Sequence, residues 1–155
     1  MKKFCLFLAA LTLVSGCGNS SDWTIGPFTR LSDDAVISPD PARIFLCPMR
    51  GEEVRWQESD TFNPAAAVKD GKICVLFRSE DNSATGIGSR TSRVGYAETT
   101  DGVTMEIAPE PVLFPGGDEW EWLDCPGGCE DPRIAKTEDG LYVMTYTSFN
   151  RKTAR

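Results

Sequence analysis

The chain of 155 residues contains no histidine. The Ser-His-Asp and Cys-His arrangements that activate a nucleophile in many hydrolases therefore cannot be built from its side chains alone. Sustained helical periodicity is also missing, and the apolar run at residues 4–14 is too short to span a membrane, which takes about 20 apolar residues. Basic residues are the minority, with 16 lysines and arginines against 23 aspartates and glutamates. This acidic balance argues against nucleic acid as a partner and fits a neutral substrate such as a carbohydrate.

The first 16 residues have the pattern of an export signal, because two lysines precede the apolar run and small residues follow it. The segment Val14-Ser15-Gly16-Cys17 resembles the cleavage box of bacterial lipoproteins, in which the cysteine is acylated and becomes the mature N-terminus. We therefore expect residues 1–16 to be a signal peptide and residues 17–32 a tether. A lipid on Cys17 would anchor the exported protein to a membrane. The alternative is an ordinary signal peptide with an unmodified Cys17.

Cysteines outside these segments are Cys47, Cys74, Cys125 and Cys129. Four cysteines in an exported protein can pair in three ways. Cys125 and Cys129 flank a short Pro-Gly-Gly segment and could close a small loop, whereas Cys47 and Cys74 lie in apolar runs that are equally compatible with buried free thiols. With no histidine and no paired cysteine knuckle, the sequence predicts no metal site.

One pattern occurs twice, at residues 63–78 and 131–146: a polar residue, a proline, a strand, Asp-Gly and a second strand. Short runs rich in Val, Ile, Phe and Tyr alternate with turn signals along the chain, so we predict an all-β fold. Glycine in Asp70-Gly71 and Asp139-Gly140 supplies the positive φ that tight hairpin turns require. Repeated hairpins that each begin with a polar group indicate a β-propeller whose strand ends converge on one site.

The repeat predicts about two blades, whereas a propeller typically has about 4 to 8. Predicted strands lie at residues 42–46, 65–68, 73–77, 93–98, 105–107, 134–136 and 142–147. The chain stops at Arg155, where a third strand of the second blade should begin. We therefore expect residues 33–155 to be the N-terminal part of a longer propeller domain. The competing interpretation is a small complete β domain, which would leave an exposed sheet edge.

Several short motifs follow one another between residues 61 and 155. They are Phe62-Asn63-Pro64-Ala65-Ala66, Phe77-Arg78-Ser79-Glu80-Asp81, Ser92-Arg93-Val94-Gly95-Tyr96-Ala97, Asp101-Gly102, Pro109-Glu110-Pro111-Val112-Leu113, Gly128-Cys129-Glu130-Asp131-Pro132-Arg133 and Tyr146-Thr147. In this order they resemble glycoside hydrolase family 130. The resemblance implies a five-bladed β-propeller that cleaves β-mannosides, by hydrolysis in some branches and by phosphorolysis in others. It implies no cofactor, with inorganic phosphate as co-substrate in a phosphorylase.

By this resemblance, Asp131 matches the general acid, whose proton travels by way of a sugar hydroxyl. Glu130 and Arg133 are expected at the substrate-binding site as well, where Glu130 could raise the pKa of Asp131 and Arg133 would lower it. Asn63 and Arg78 match positions that hold the mannose on the non-reducing side of the cleaved bond, and an amide and a guanidinium suit sugar hydroxyls. The structural alternatives are turn residues before proline for Asp131 and Asn63, and a surface arginine for Arg78.

Asp81, with Glu80 and Arg93, either contacts sugar or forms an ion-pair network under the site. Trp122 either stacks on a neighbouring sugar unit or packs between blades. The resemblance puts beyond Arg155 both the second carboxylate of an inverting hydrolase and the cations that would hold phosphate. We predict an exported enzyme that hydrolyses a β-mannoside oligosaccharide with inversion. The alternatives are a phosphorylase that releases mannose 1-phosphate and a non-catalytic carbohydrate-binding lipoprotein.

Overall fold

The computed structural model describes residues 26–155, so the predicted signal peptide and Cys17 lie outside the described residues. The chain divides into two units, Met1–Arg30 and Leu31–Arg155. Of the first unit, residues 26–30 are described, and they form no helix or strand. None of the helices described within residues 26–155 is long and apolar enough to cross a membrane. The second unit confirms the all-β prediction, with one short helix.

The second unit contains eight strands and a single helical turn. In chain order they are β1 (Ile44–Cys47), β2 (Glu52–Arg55), β3 (Asp60–Lys69), β4 (Lys72–Glu80), β5 (Ser92–Thr99), β6 (Glu106–Ile107), α1 (Glu121–Asp124), β7 (Gly128–Lys136) and β8 (Tyr142–Phe149). Every predicted strand is present with somewhat different ends. The elements that the sequence analysis missed are β2 and α1, because four residues are too few for either to show a periodicity.

One sheet contains β3 to β8, and its connections reproduce the sequence repeat. Strands β3, β4, β5 and β6 are successive antiparallel neighbours, while β7 and β8 form an antiparallel hairpin. The two parts meet where Ser92 of β5 pairs in parallel with Gly128 of β7. The sheet is therefore one four-stranded blade followed by the first two strands of the next. Strands β1 and β2 form a separate antiparallel hairpin.

Both strands that carry a polar-proline pair run through the proline, so the prediction that they begin after it is wrong. The ladder between β3 and β4 shifts register around Pro64, and the ladder between β7 and β8 does so around Pro132. Proline has no N–H to donate, and a β-bulge is a place where the ladder does not require one. Each proline is therefore accommodated inside a strand.

Strand β4 of the four-stranded blade is buried on both faces. On one face, Phe77 of β4 belongs to a cluster with Phe45 of β1. On the other face, Leu76 of β4 belongs to a cluster with Cys129 of β7. Because successive residues of a strand point to opposite faces, burial on both sides requires the continuous apolar run at residues 73–77 instead of alternation.

The four cysteines of the described residues are free thiols. The interpretation that a disulfide between Cys125 and Cys129 closes a small loop is therefore wrong for this structure. The interpretation of Cys47 and Cys74 as buried free thiols is confirmed. Cys129 is fully buried between the two blades, whereas Cys125 follows α1 and is half-buried. Burial raises the pKa of the Cys125 thiol to about 11, which keeps it protonated and unreactive at neutral pH.

Gly128 is required where the two blades meet. Its φ is +112°, a conformation that residues with a side chain rarely adopt. A Cβ there would also overlap the backbone of Ser92, with which Gly128 forms the parallel pair. The neighbouring Gly127 meets the backbone of Phe149 equally closely. Gly128 therefore permits the backbone contact between blades, and Gly127 permits the close approach to β8 within its own blade.

Replacement of Gly128 by alanine is expected to destabilise the protein strongly. A positive φ on a residue with a side chain costs about 1 to 2 kcal/mol, and overpacking against a fixed backbone adds about 1 to 3 kcal/mol. Gly71→Ala is the matched control, because Gly71 has a φ of +78° but nothing within 4 Å of an added Cβ. Urea unfolding should show a larger loss of stability for Gly128→Ala than for Gly71→Ala. Equal losses would mean that the close approach of Gly128 to Ser92 adds no cost.

Candidate active site

The two repeats bring their polar residues into contact. Asn63 in the bulge of β3 and Asp131 in the bulge of β7 have left-handed backbones, with φ of 47° and 48°. Asparagine and aspartate are, after glycine, among the residues that tolerate this conformation best. Nδ2 of Asn63 donates a hydrogen bond to Oδ1 of Asp131 over 2.8 Å. Equivalent positions of two blades thus turn their side chains toward each other.

Arg78 of β4 lies at the centre of the contacts and is only 5% exposed. Its Nη1 donates to Oδ1 of Asp131 over 3.1 Å. Its Nη2 donates to Oε1 of Glu80 over 2.7 Å and to Oε1 of Glu130 over 2.9 Å. Its Nε donates to Oγ of Ser92 over 3.0 Å. One buried cation thus holds carboxylates from β4 and β7, so the alternative of a surface arginine is excluded.

The Asp131 carboxyl has a lowered pKa in this arrangement. Burial raises this pKa, but the hydrogen bonds from Asn63 and Arg78 and the charges of Arg78 and Arg133 lower it further than burial raises it. From the sequence alone, Glu130 would raise the pKa of Asp131 and Arg133 would lower it. The direction is downward because Arg78, a third group, contributes both a charge and a hydrogen bond.

The neighbouring Glu130 has its pKa shifted in the opposite direction. Burial raises the pKa of Glu130, and the nearby negative charges of Asp131 and Glu80 raise it further. The charge of Arg78 and the hydrogen bond with Ser92 lower it, without cancelling the increase. Two carboxyl groups adjacent in sequence therefore differ in their affinity for a proton, a pattern typical of sites that transfer protons.

Asp81 belongs to a second network. Its buried carboxylate pairs with Arg93 over 2.9 Å and accepts hydrogen bonds from the backbone N–H groups of Ser83 and Thr91. Burial raises the pKa of Asp81, but the hydrogen bonds with Ser83 and the charge of Arg93 lower it overall. Asp81 thus fixes the loop between β4 and β5. It also borders a polar cleft of about 640 Å³ that does not include Asp131.

Arg133 and Trp122 are exposed. Arg133 donates to the backbone oxygen of Pro132 over 2.7 Å and acts on Asp131 through its charge. The side chain of Trp122 is 58% exposed, with the guanidinium of Arg155 5.6 Å from its ring. Trp122 is therefore not packed between the two blades. Arg155 lies over one face of its ring, and the exposed remainder is compatible with stacking on a sugar.

Phe62 and Ser92 also belong to the site, although the sequence did not indicate either of them. The ring of Phe62 covers the guanidinium of Arg78 at 4.6 Å, and Ser92 accepts a hydrogen bond from its Nε. Phe62 directly precedes Asn63 and Ser92 directly precedes Arg93, two residues that the sequence had indicated. The available signal was their place in the same motifs, but a motif does not show which neighbour will face the arginine.

A family model described as beta-1,4-mannooligosaccharide phosphorylase matches residues 41–155. The chain belongs to glycoside hydrolase family 130. Among curated relatives, the 1,2-beta-oligomannan phosphorylase of Thermoanaerobacter sp. (strain X514) is 34% identical over 121 residues, which are 77% of this chain and 35% of the relative. The match confirms the resemblance found in the sequence.

Two solved structures are more similar in sequence. A glycosyl hydrolase from Bacteroides ovatus is 50% identical with a TM-score of 0.82, over 86% of this chain and 38% of that one. Another, described by the words "the GH130 family of mannoside phosphorylases contains glycoside hydrolases that target beta-1,2 mannosidic linkages in Candida mannan", is 52% identical with a TM-score of 0.82 over the same shares. The chain thus spans about a third of the length of these relatives. It covers the N-terminal portion of a five-bladed propeller, as predicted.

Replacement of Arg78 by methionine is expected to destabilise the protein by about 3 to 5 kcal/mol, because it leaves buried carboxylates without their cation. The Asp131 pKa is lowered in the folded state, so this stabilisation is present above the ordinary aspartate pKa and disappears as the pH falls through the folded value. The difference between the variant and the wild type should therefore narrow in acid. Urea unfolding at several pH values measures it.

The matched control is Arg55→Met, because Arg55 pairs with Glu58 over 3.5 Å while its side chain is 59% exposed. An exposed pair contributes about 0 to 1 kcal/mol. A loss at Arg78 no larger than at Arg55, or one that does not depend on pH, would contradict the role of Arg78 as the buried counter-ion.

Proposed function

We propose that this part of the protein supplies the general acid and part of the sugar subsite of an enzyme that hydrolyses β-mannosidic linkages with inversion. Asp131 is the acid. The observation that carries the proposal is that Asn63 and Arg78 of one blade both donate to Oδ1 of Asp131 in the next blade. An amide and a guanidinium that fix an acid beside an open surface suit a substrate with many hydroxyl groups.

Asp131 has one oxygen available for chemistry. Its hydrogen bonds with other described residues all go to Oδ1, and about a third of its side chain is exposed. We assign proton transfer to Oδ2, by way of a mannose hydroxyl. The lowered pKa means that the carboxyl is ionised at neutral pH in the empty site. Removal of water by the bound sugar raises the pKa of a carboxyl and is required before Asp131 can donate.

The other residues take supporting roles. The Oδ1 atom of Asn63 and the exposed face of Trp122 are suited to a sugar hydroxyl and to a sugar ring. Glu130 and Arg133 set the charge around Asp131, and Asp81 holds the adjoining loop. The substrate is a β-mannoside oligosaccharide. The second carboxylate, which in an inverting hydrolase stands about 6.5 to 9.5 Å from the acid, belongs in our proposal to the blades that this chain does not span.

Phosphorolysis is the second candidate, and the description of the family model and the name of the curated relative favour it. Inorganic phosphate would then be the co-substrate and mannose 1-phosphate the product. Hydrolysis is supported by the greater identity, 52% against 34%, to the structure described with hydrolases that target beta-1,2 mannosidic linkages. Predicted export supports it as well, because a sugar phosphate conserves bond energy that is useful inside a cell.

Asp131→Asn, in the protein expressed from its complete reading frame, should reduce kcat by about 100- to 10,000-fold. Asparagine keeps the shape and can still accept the hydrogen bonds at Oδ1, so the fold should persist. The control is Asp139→Asn, because Asp139 is exposed in the turn between β7 and β8. Release of mannose from β-1,2- and β-1,4-mannobiose measures the effect. Comparable turnover by Asp131→Asn would remove Asp131 from the acid role.

The same assays separate the two reactions. Turnover that is independent of phosphate and gives free mannose is expected. Dependence on phosphate with mannose 1-phosphate as product would establish the phosphorylase instead. A wild-type protein that binds mannobiose and cleaves neither linkage under either condition would establish the non-catalytic carbohydrate-binding alternative.

We also propose that the protein is exported and anchored in the bacterial envelope through a lipid on Cys17. The proposal rests on the sequence Val14-Ser15-Gly16-Cys17. Cys17→Ser should move the protein from the membrane fraction to the soluble fraction and remove the mass of the lipid from its N-terminal peptide. An unchanged distribution between fractions would contradict the anchor.

A further inference from the structure

Two glutamates from different blades share the same pair of donors. Oε1 of Glu80 and Oε1 of Glu130 lie 2.7 and 2.9 Å from Nη2 of Arg78. Both lie within 3.3 Å of Oγ of Ser92, whose single proton can be donated to only one of them at a time. The side chain of Glu80 is fully buried and that of Glu130 is 13% exposed. If both glutamates were ionised, two negative charges would be held close together with few hydrogen-bond donors.

The charges around these glutamates do not balance. The groups that face the cluster are the acidic residues Asp60, Glu80, Glu130 and Asp131 and the basic residues Arg78, Arg90 and Arg133. Arg133 is exposed, so water screens it, and Arg90 pairs with Asp60 and is 3.7 Å from Oε2 of Glu80. Of these cations, Arg78 is the one that forms ion pairs with Glu130 and Asp131 within the described residues. A buried surplus of negative charge favours a bound proton.

We propose that Glu130 and Asp131 hold one proton between them, and that Arg78, which donates to both, is the counter-ion of whichever carboxylate is ionised. In the empty site the proton is on Glu130, because Glu130 is the more buried of the two, with 13% of its side chain exposed against 32% for Asp131, and shares Nη2 of Arg78 with Glu80. Asp131 instead accepts hydrogen bonds from both Asn63 and Arg78, which favour its ionised form. The inference rests on the proposed role of Asp131 as acid. Glu130 is a positioning residue that acts on the acid through Arg78.

A bound sugar moves the proton from Glu130 to Asp131. It removes water from Asp131, which favours the neutral carboxyl, and Asp131 takes up the proton that it later transfers. Glu130 releases one proton, so the number on the pair is unchanged. The negative charge then lies on Glu130, which is already 2.9 Å from Nη2 of Arg78. Asp131 is therefore protonated for catalysis while Arg78 keeps an ionised partner.

Glu130→Gln tests this role because glutamine keeps the shape and cannot take the charge. Arg78 then attracts ionised Asp131 without competition, which lowers the pKa of the acid. Since the acid must be protonated, the basic limb of the kcat profile should move to lower pH by about one unit, and above it kcat should fall about 10-fold. KM should change little. The matched control is Glu138→Gln, an exposed glutamate between β7 and β8.

A Glu130→Gln profile that superimposes on the wild type, or that falls equally at every pH, would overturn the inference. Either result would leave Glu130 with a purely structural role. Thermal unfolding of Glu130→Gln confirms that the compared molecules are folded.

Carboxyl ¹³C NMR follows the titration of Glu130 without catalytic turnover. Asp131→Asn removes the neighbouring charge, so Glu130 should titrate about one pH unit lower than in the wild type. Unchanged titration of Glu130 would overturn the shared proton. Full activity of Asp131→Asn would overturn the proposed acid instead. The two failures are distinguishable because the NMR titration does not depend on catalysis.

Discussion

The buried guanidinium of Arg78 is the interaction on which the site depends. It extends from β4 to Ser92 of β5 and to Glu130 and Asp131 of β7, so it crosses the junction between two blades. A buried charge is tolerated only when its hydrogen bonds are satisfied, and here carboxylates, a hydroxyl and the face of Phe62 surround it. The group that joins the blades also sets the charge of the proposed acid. Stability and chemistry are therefore coupled at one residue.

Backbone geometry positions the carboxylates around this cation. In β7, Gly128 permits contact with the backbone of Ser92, and three residues later Asp131 has a left-handed conformation. Such conformations cost about 1 to 3 kcal/mol and persist where the surrounding structure determines them. Here the parallel pair and the bonds to Asn63 and Arg78 provide that support. The strain is located at the residues proposed to carry the function.

Local signals in the sequence sufficed to predict strands, turns and two blades, because strand composition and Asp-Gly turns depend on near neighbours. For Arg78 the sequence left a surface position open, and the structure shows it buried. Side-chain contacts between neighbouring strands did not follow. Phe62 and Ser92 stand in ordinary strand positions, and nothing local shows that both face Arg78. The direction of the Asp131 pKa depends on the same long-range contacts, so the sequence left it open.

The proline in each repeat explains why adjacent side chains can act together. Successive residues of a regular strand point to opposite faces, so Glu130 and Asp131 should not reach the same group. The bulge at Asp131 breaks this alternation, and both carboxylates bind Arg78. In β3, Phe62 lies directly opposite Arg78 in the ladder with β4, and the bulge that follows it turns Asn63 toward Asp131. The repeated polar-proline pair is therefore more than a blade marker, because each copy brings two neighbouring side chains into the cluster around Arg78.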